Sequence, residues 1–230
     1  MSKQSNFWDK EYADAKHLSL SDEPAEDLEK FVRYLVREHG KKLLNVTTQV
    51  LDLGSGNGRN LVYLAKEFGM RGIGYDTSRV AVEQAKKASE GMQIQYEVRS
   101  MADPLPLPNT SVTIVLDMMS SHFLKKEERE ALRAEILRVL KPGGWLFFKS
   151  FLLDDDSNAR RLLRDNPAEE PGMYIHPEIG VAEYVWTEEA LREFFEPHFT
   201  IHNIDKSFKH RREDGSSWKR RTIVAYLEKN

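Results

Sequence analysis

The segment Val50-Leu51-Asp52-Leu53-Gly54-Ser55-Gly56-Asn57-Gly58-Arg59-Asn60 constrains this chain more than any other. An apolar run stops in three alternating glycines and passes directly into a helical pattern. Glycines in such a turn adopt positive φ without strain and leave no Cβ between the backbone and whatever lies against it. The segment therefore predicts a strand, a tight turn and a helix, with backbone N–H groups and the positive helix end facing one spot. The G-x-G-x-x-G spacing of dinucleotide sites would place its third glycine one residue later, where Arg59 stands.

Strand-like and helix-like patterns alternate from there onward. Strands are predicted over 50 to 54, 71 to 75, 93 to 99, 112 to 117 and 144 to 151, and helices over 58 to 68, 78 to 89 and 126 to 140. This order predicts an α/β, doubly wound, mostly parallel sheet whose ligands bind beyond the strand C-termini. Upstream, Ser21-Asp22-Glu23-Pro24 reads as a helix start, with Leu28, Phe31, Val32, Leu35 and Val36 at helical spacing and Gly40 as the stop. Downstream, 152–186 is polar, interrupted by prolines and too long for a simple connection. Thr187 caps a further helix, and strands over 199 to 208 and 218 to 227 flank a turn at Glu213-Asp214-Gly215-Ser216.

Three further motifs accompany the glycine turn. Arg71-Gly72-Ile73-Gly74-Tyr75-Asp76 ends a second strand in an acid about 20 residues on, where a ribose-binding carboxylate is expected. Leu105-Pro106-Leu107-Pro108 leads into Val112–Asp117, and Leu140-Lys141-Pro142-Gly143-Gly144 closes a helix before Trp145-Leu146-Phe147-Phe148. Together with Asp52, Gly54, Gly56 and Gly58, these motifs resemble class I S-adenosylmethionine-dependent methyltransferases. Gly58-Arg59-Asn60-Leu61-Val62-Tyr63-Leu64-Ala65 and the basic C-terminal region are also similar to the tellurite-resistance methyltransferase branch.

The resemblance implies a seven-stranded Rossmann-like methyltransferase fold ending in an antiparallel hairpin, with S-adenosyl-L-methionine as cofactor. It implies one domain over 1–230: an N-terminal cap and helix over 1–45, a cofactor-binding core over 50–151 and an inserted substrate-side segment over 152–186. Gly54, Ser55, Gly56, Asn57 and Gly58 would bring the backbone to the cofactor. Asp52 and Asn60 would reach its amino-acid end, and Asp76 with Thr77 its ribose. Met101 occupies a position where relatives often carry an aspartate, and is expected to cover the adenine ring. The Ala102 N–H would meet the ring edge, with Asp103 displaced along the loop. Asp117 is expected near the methionine end.

His122 leaves the fourth strand on the catalytic edge and is the best single base candidate; the bland alternative is a histidine bonded to backbone at a helix start. A base is needed only where the acceptor must lose a proton. Trp8, Tyr12, Tyr174 and His176, with His122, are expected to face the acceptor, Trp8 and Tyr12 (with Phe7) belonging to an N-terminal lid. Trp186 reads as a core anchor.

With no cysteine, disulfides and thiolate zinc sites are excluded, and no metal site is expected. A small-molecule acceptor fits a net charge of −3, spread over 34 basic and 37 acidic residues. The first ten residues are too polar for a signal peptide, no stretch spans a bilayer, and a soluble cytoplasmic protein without membrane contact is expected. Lys206, Lys209, His210, Arg211, Arg212, Lys219, Arg220 and Arg221 form the strongest basic cluster. It reads either as a solvated hairpin or as a docking surface for RNA, protein or an anionic substrate. A non-catalytic cofactor-binding module and a nicotinamide oxidoreductase are the competing readings.

Overall fold

The computed structural model describes residues 3–17, 20–207 and 220–230. Seven strands form one sheet: β1 (Gln49–Leu53), β2 (Arg71–Asp76), β3 (Ile94–Val98), β4 (Val112–Met118), β5 (Leu140–Phe151), β8 (Phe199–Lys206) and β9 (Thr222–Lys229). Their spatial order is β3-β2-β1-β4-β5-β9-β8. The first five run parallel, and β9 pairs antiparallel with both β5 and β8. The strand order reverses between β1 and β4, which makes their C-terminal ends the switch point at which open α/β sheets bind ligands.

Period-2 alternation in the central strands divides the core into two layers. Leu51, Leu53, Val115 and Phe148 face one side, where they pack against α5 (Lys126–Val139) and α7 (Glu188–Phe195). Val50, Ile114, Leu116 and Phe147 face the other, against α2 (Glu26–His39), α3 (Arg59–Phe68) and α4 (Arg79–Ala88). Both faces of β1 and β4 are covered, which explains their near-continuous apolar sequences. Trp186 lies in the first layer against Phe148, with ring centroids 5.5 Å apart, as expected of a core anchor.

Three features differ from the sequence expectation. The N-terminal aromatics ride on a helix of their own, α1 (Lys3–Ala13). The next helix, α2, begins after Pro24 rather than around it, because the Ser21 hydroxyl accepts from the Glu23 amide and closes a local turn first. Gly40 ends it as expected, donating its N–H to the Val36 carbonyl at φ +60°.

The segment over 152–186 also holds regular structure that its polar sequence concealed. It contains α6 (Ser157–Asp165), capped by the Asp156 carboxylate, and a two-stranded hairpin of β6 (Met173–Ile175) and β7 (Ala182–Tyr184). The turn expected at 213–216 lies outside the described residues. No helix among the described residues is long and apolar enough to cross a membrane.

Candidate active site

The glycine turn opens at the C-terminal end of β1. Gly54, Gly56 and Gly58 have φ of +73°, +55° and +80°. A Cβ on Gly54 would lie 2.6 Å from the Ser120 Cβ, and one on Gly56 would overlap the Tyr12 hydroxyl. Gly58 serves packing instead: a Cβ there would overlap the Tyr96 ring and hydroxyl beneath the start of α3. The turn is tied to β2, because the Gly54 and Ser55 amides both donate to the Tyr75 carbonyl. One Asp76 oxygen accepts from the Gly56 amide at 2.9 Å and the other from the Ser78 amide at 2.8 Å.

Two cavities meet at this turn. The smaller, about 110 Å³, is bordered by Asp76, Thr77, Ser100, Met101, Ser120 and Leu124. The larger, about 390 Å³, reaches from Ser55, Asn57 and Asn60 past His122 to Lys149, His176, Glu183 and Arg220. Trp8, Tyr12, Gly54, Met119 and Phe123 border both. Met119 sits between them at φ +59°, a left-handed conformation uncommon for a side chain of its kind.

Helix α1 lies across this junction and is fastened to α4. Asp9 accepts from the Ser78 hydroxyl at 2.8 Å and the Val80 amide at 3.3 Å, so its carboxylate occupies the positive end of α4. Gln84 donates to the Tyr12 carbonyl at 2.8 Å, and the Trp8 ring meets Phe123 edge-on at 5.1 Å.

Burial governs the electrostatics. Desolvation, then the charge of Asp76, pushes the Asp52 carboxyl up to about 7. Its Oδ2 has no hydrogen-bond partner among the described residues, nor has the Ser55 hydroxyl. An orphaned carboxylate oxygen and hydroxyl under a glycine cradle fit the ammonium-bearing amino-acid end of S-adenosylmethionine, and Asp76 at the end of β2 fits its ribose. His122 is buried in the 3-10 turn Ser121–Phe123, with neither ring nitrogen hydrogen-bonded to a described residue. Burial, then Arg220, pushes its imidazole down to about 3. A tilted contact with Phe123 at 4.0 Å and an edge contact with Phe151 at 4.9 Å hold the ring.

Other candidates prove to be committed within the fold. Asn60 borders the larger cavity, while its amide oxygen accepts from Ala25 N–H at the start of α2 and its nitrogen reaches the Met118 sulfur. Asn57 is held by the Ser21 carbonyl and Asp22. Asp117 faces neither cavity; it accepts from the Ser120 hydroxyl and Ser121 amide and holds the turn carrying His122. The Ala102 N–H, expected at an adenine edge, donates to the Ser100 hydroxyl instead. Tyr174, expected at the acceptor, is fully buried behind the cavity wall, where its hydroxyl bonds Glu183 and Arg220. His176 does border the larger cavity.

Two charged cavity residues, Lys149 and Glu183, escaped the motif reading, and Arg220 entered it only as a member of the basic cluster. Lys149, near the end of β5, pairs with Asp27 of α2 at 2.7 Å, and Arg220 pairs with Glu183 while its guanidinium lies 3.4 Å over the Phe151 ring. A lysine inside the apolar run Trp145–Phe151 was the available signal for the first. The Glu183–Arg220 pair joins residues 37 apart and carried none. The described basic cluster members face acids of the same chain: Lys206 bonds Asp154 and Glu188, and the Arg221 guanidinium lies 3.9 Å from Asp155. Lys209, His210, Arg211, Arg212 and Lys219 lie outside the described residues.

Residues 50–144 match the model of a methyltransferase domain family. The match begins at β1 and ends inside β5, enclosing the glycine turn, Asp76 and the His122 turn. Over this region the chain is a methyltransferase domain of the class I S-adenosylmethionine-dependent kind. S-adenosylmethionine is the cofactor that this family implies. This methyltransferase is 29% identical over 150 residues to a glycine/sarcosine/dimethylglycine N-methyltransferase from Actinopolyspora halophila, covering 64% of this chain and 26% of that one. It is 28% identical to phosphoethanolamine N-methyltransferase 1 of Triticum aestivum, over 74% and 34% respectively. The chain spans about a quarter to a half of the length of the curated relatives it matches. Among solved structures, a methyltransferase from Methanosarcina mazei shares its fold with a TM-score of 0.67 at 22% identity, covering 81% of this chain and 94% of that one.

Proposed function

We propose that the chain transfers a methyl group from S-adenosylmethionine to a small acceptor whose anionic head is seated among His122, Lys149 and Arg220. The observation that carries this reading is the His122 imidazole, buried against the larger cavity with neither ring nitrogen partnered among the described residues. Such a group costs folding free energy unless a ligand uses it.

S-adenosylmethionine, when bound, supplies an activated methyl group on a positively charged sulfur. Gly54, Ser55 and Gly56 would hold it through close backbone, Asp52 through its unpartnered oxygen and Asp76 at the ribose. Helix α1, with Trp8 and Tyr12, excludes water from the junction of the two cavities. Where the atom to be methylated is a hydroxyl or amine beside the anionic head, a neutral His122 nitrogen would take the proton it releases as its bond to the methyl carbon forms and the sulfur–methyl bond breaks. An imidazole so reluctant to charge does not ionise the acceptor beforehand; it acts only as transfer proceeds.

Among the cavity-lining residues, Arg59, Lys149 and Arg220 stand with Glu178 and Glu183, and Lys149 and Arg220 are paired with Asp27 and Glu183. An anionic head group would compete with those two carboxylates for the same side chains. The two relatives named above bear the names of small charged acceptors, which supports the same class.

Incubation of the purified protein with methyl-labelled S-adenosylmethionine and a panel of small carboxylates and phosphates tests the reading. Label should move into at least one panel member. Label recovered only in RNA or protein would contradict it.

A further inference from the structure

The β6–β7 hairpin is two-faced. Its register pairs Tyr174 with Glu183, Met173 with Tyr184 and Ile175 with Ala182. Because successive side chains point to opposite faces, Tyr174 and Glu183 share one face while Met173, Ile175 and Ala182 share the other. The first face meets Arg220 at the wall of the larger cavity. The second borders an open groove of about 1150 Å³, lined also by Phe7 and Phe123 and by charged residues of 125–128 and 169–170.

Phe7, Phe123 and Ile179 border both this groove and the larger cavity, so the two spaces meet at these residues. Large exposed apolar side chains are few among the described residues, and two of them stand here: Ile175, 46% exposed in the groove, and Leu20, 40% exposed at the larger cavity. The cavities at the glycine turn must also hold the cofactor. An acceptor longer than its head group therefore has to leave through the junction, where the side chains of Phe7, Phe123 and Ile179 are apolar.

We propose that the acceptor is amphiphilic: an anionic head in the chamber at His122, Lys149 and Arg220, continued by an uncharged aliphatic chain lying in the groove against Ile175 and Ala182. The assignment rests on the methyl-transfer reading above and adds a binding subsite to it. Burial of the chain would relieve the exposure of Ile175 and give the hairpin's apolar face a partner.

Calorimetric titration of linear carboxylates from butanoate to decanoate, with S-adenosylhomocysteine saturating, tests the subsite. Kd should fall about fourfold for each methylene that enters the groove. Ile175→Asp and Val181→Asp, at two groove-lining positions, should flatten that dependence while changing butanoate and S-adenosylhomocysteine affinity less than about twofold, as expected for surface substitutions away from the polar site. A flat series in the unaltered protein with S-adenosylhomocysteine still bound overturns the subsite and leaves methyl transfer standing. Chain-length dependence retained in both variants also overturns it. A dimer that Ile175→Asp dissolves would place a second copy in the groove and would likewise overturn the subsite. Failure of S-adenosylhomocysteine to bind overturns the methyl-transfer reading and the subsite with it.

Discussion

The Asp76 carboxylate accepts a hydrogen bond from the Gly56 amide across 2.9 Å, joining the end of β2 to the turn that follows β1. Its second oxygen accepts from Ser78 N–H at 2.8 Å. One side chain thus shapes the glycine turn and presents an acceptor to the smaller cavity. Asp76→Ala removes both roles. Hydrogen bonds to a charged group contribute about 1.5–3 kcal/mol each, so affinity for S-adenosylhomocysteine should fall by at least about tenfold. Calorimetry checks this; unchanged affinity would remove Asp76 from the site.

Asp52 couples the site to pH. Its folded-state value of about 7 lies above the roughly 3.9 of an unfolded aspartate. Between those values the native state holds the extra proton, so this group's contribution to stability is greatest below pH ~4 and declines as pH rises towards 7. A bound ammonium reverses the balance by drawing the proton off. Affinity for S-adenosylhomocysteine should therefore increase from pH 5.5 to 8, with proton release detectable in buffers of different ionisation enthalpy. Asp52→Asn should abolish the pH dependence, weaken binding and, at pH 8, raise apo stability by about 1 kcal/mol, or about 2–4 °C in Tm.

Asp9 fastens the helix that covers the junction of the cavities. Its bonds to Ser78 and Val80 place a carboxylate at the start of α4, a contact of about 0.5–2 kcal/mol. Asp9→Ala should loosen α1 without unfolding the sheet. Hydrogen exchange should accelerate in α1 alone, and S-adenosylhomocysteine should dissociate several-fold faster. Equal exchange in both proteins would show that α1 is held by its aromatic contacts.

His122 is expected to stay neutral from about pH 4 upward, because burial and Arg220 disfavour its charged form. The pH profile of kcat should then lack a limb near 6.5. His122→Phe removes two buried nitrogens without a partner among the described residues, so it should leave stability equal or higher while lowering turnover by about 10²–10⁴-fold. Thermal melting and label transfer read the two effects separately. Full turnover in the variant would exclude proton acceptance at this position.

Elements whose evidence is local were legible in the sequence. The glycine turn, Asp76 at the end of its strand and the Leu140–Gly144 motif each encode geometry within a few residues, and together they specified sheet and cofactor. The acceptor side is assembled from long-range pairs. Lys149 meets Asp27 across 122 residues, and Arg220 meets Glu183 across 37. No spacing rule announces such contacts. Tyr174 was expected at the acceptor because it is an aromatic amid polar residues; strand alternation turned its hydroxyl onto Glu183 behind the wall. Ala102 lost its expected donor role to the Ser100 hydroxyl two residues away, a local competition common in turns.

The glycine turn with Asp52 and Asp76 is the part on which every other assignment depends. Calorimetric titration of the purified, unaltered protein with S-adenosylhomocysteine at pH 8 measures it directly. One molecule per chain should bind with measurable heat, and Gly56→Ala, whose added Cβ would overlap the Tyr12 hydroxyl at a φ of +55°, should bind far more weakly. Absence of binding by the unaltered protein, or equal binding by Gly56→Ala, would contradict the assignment.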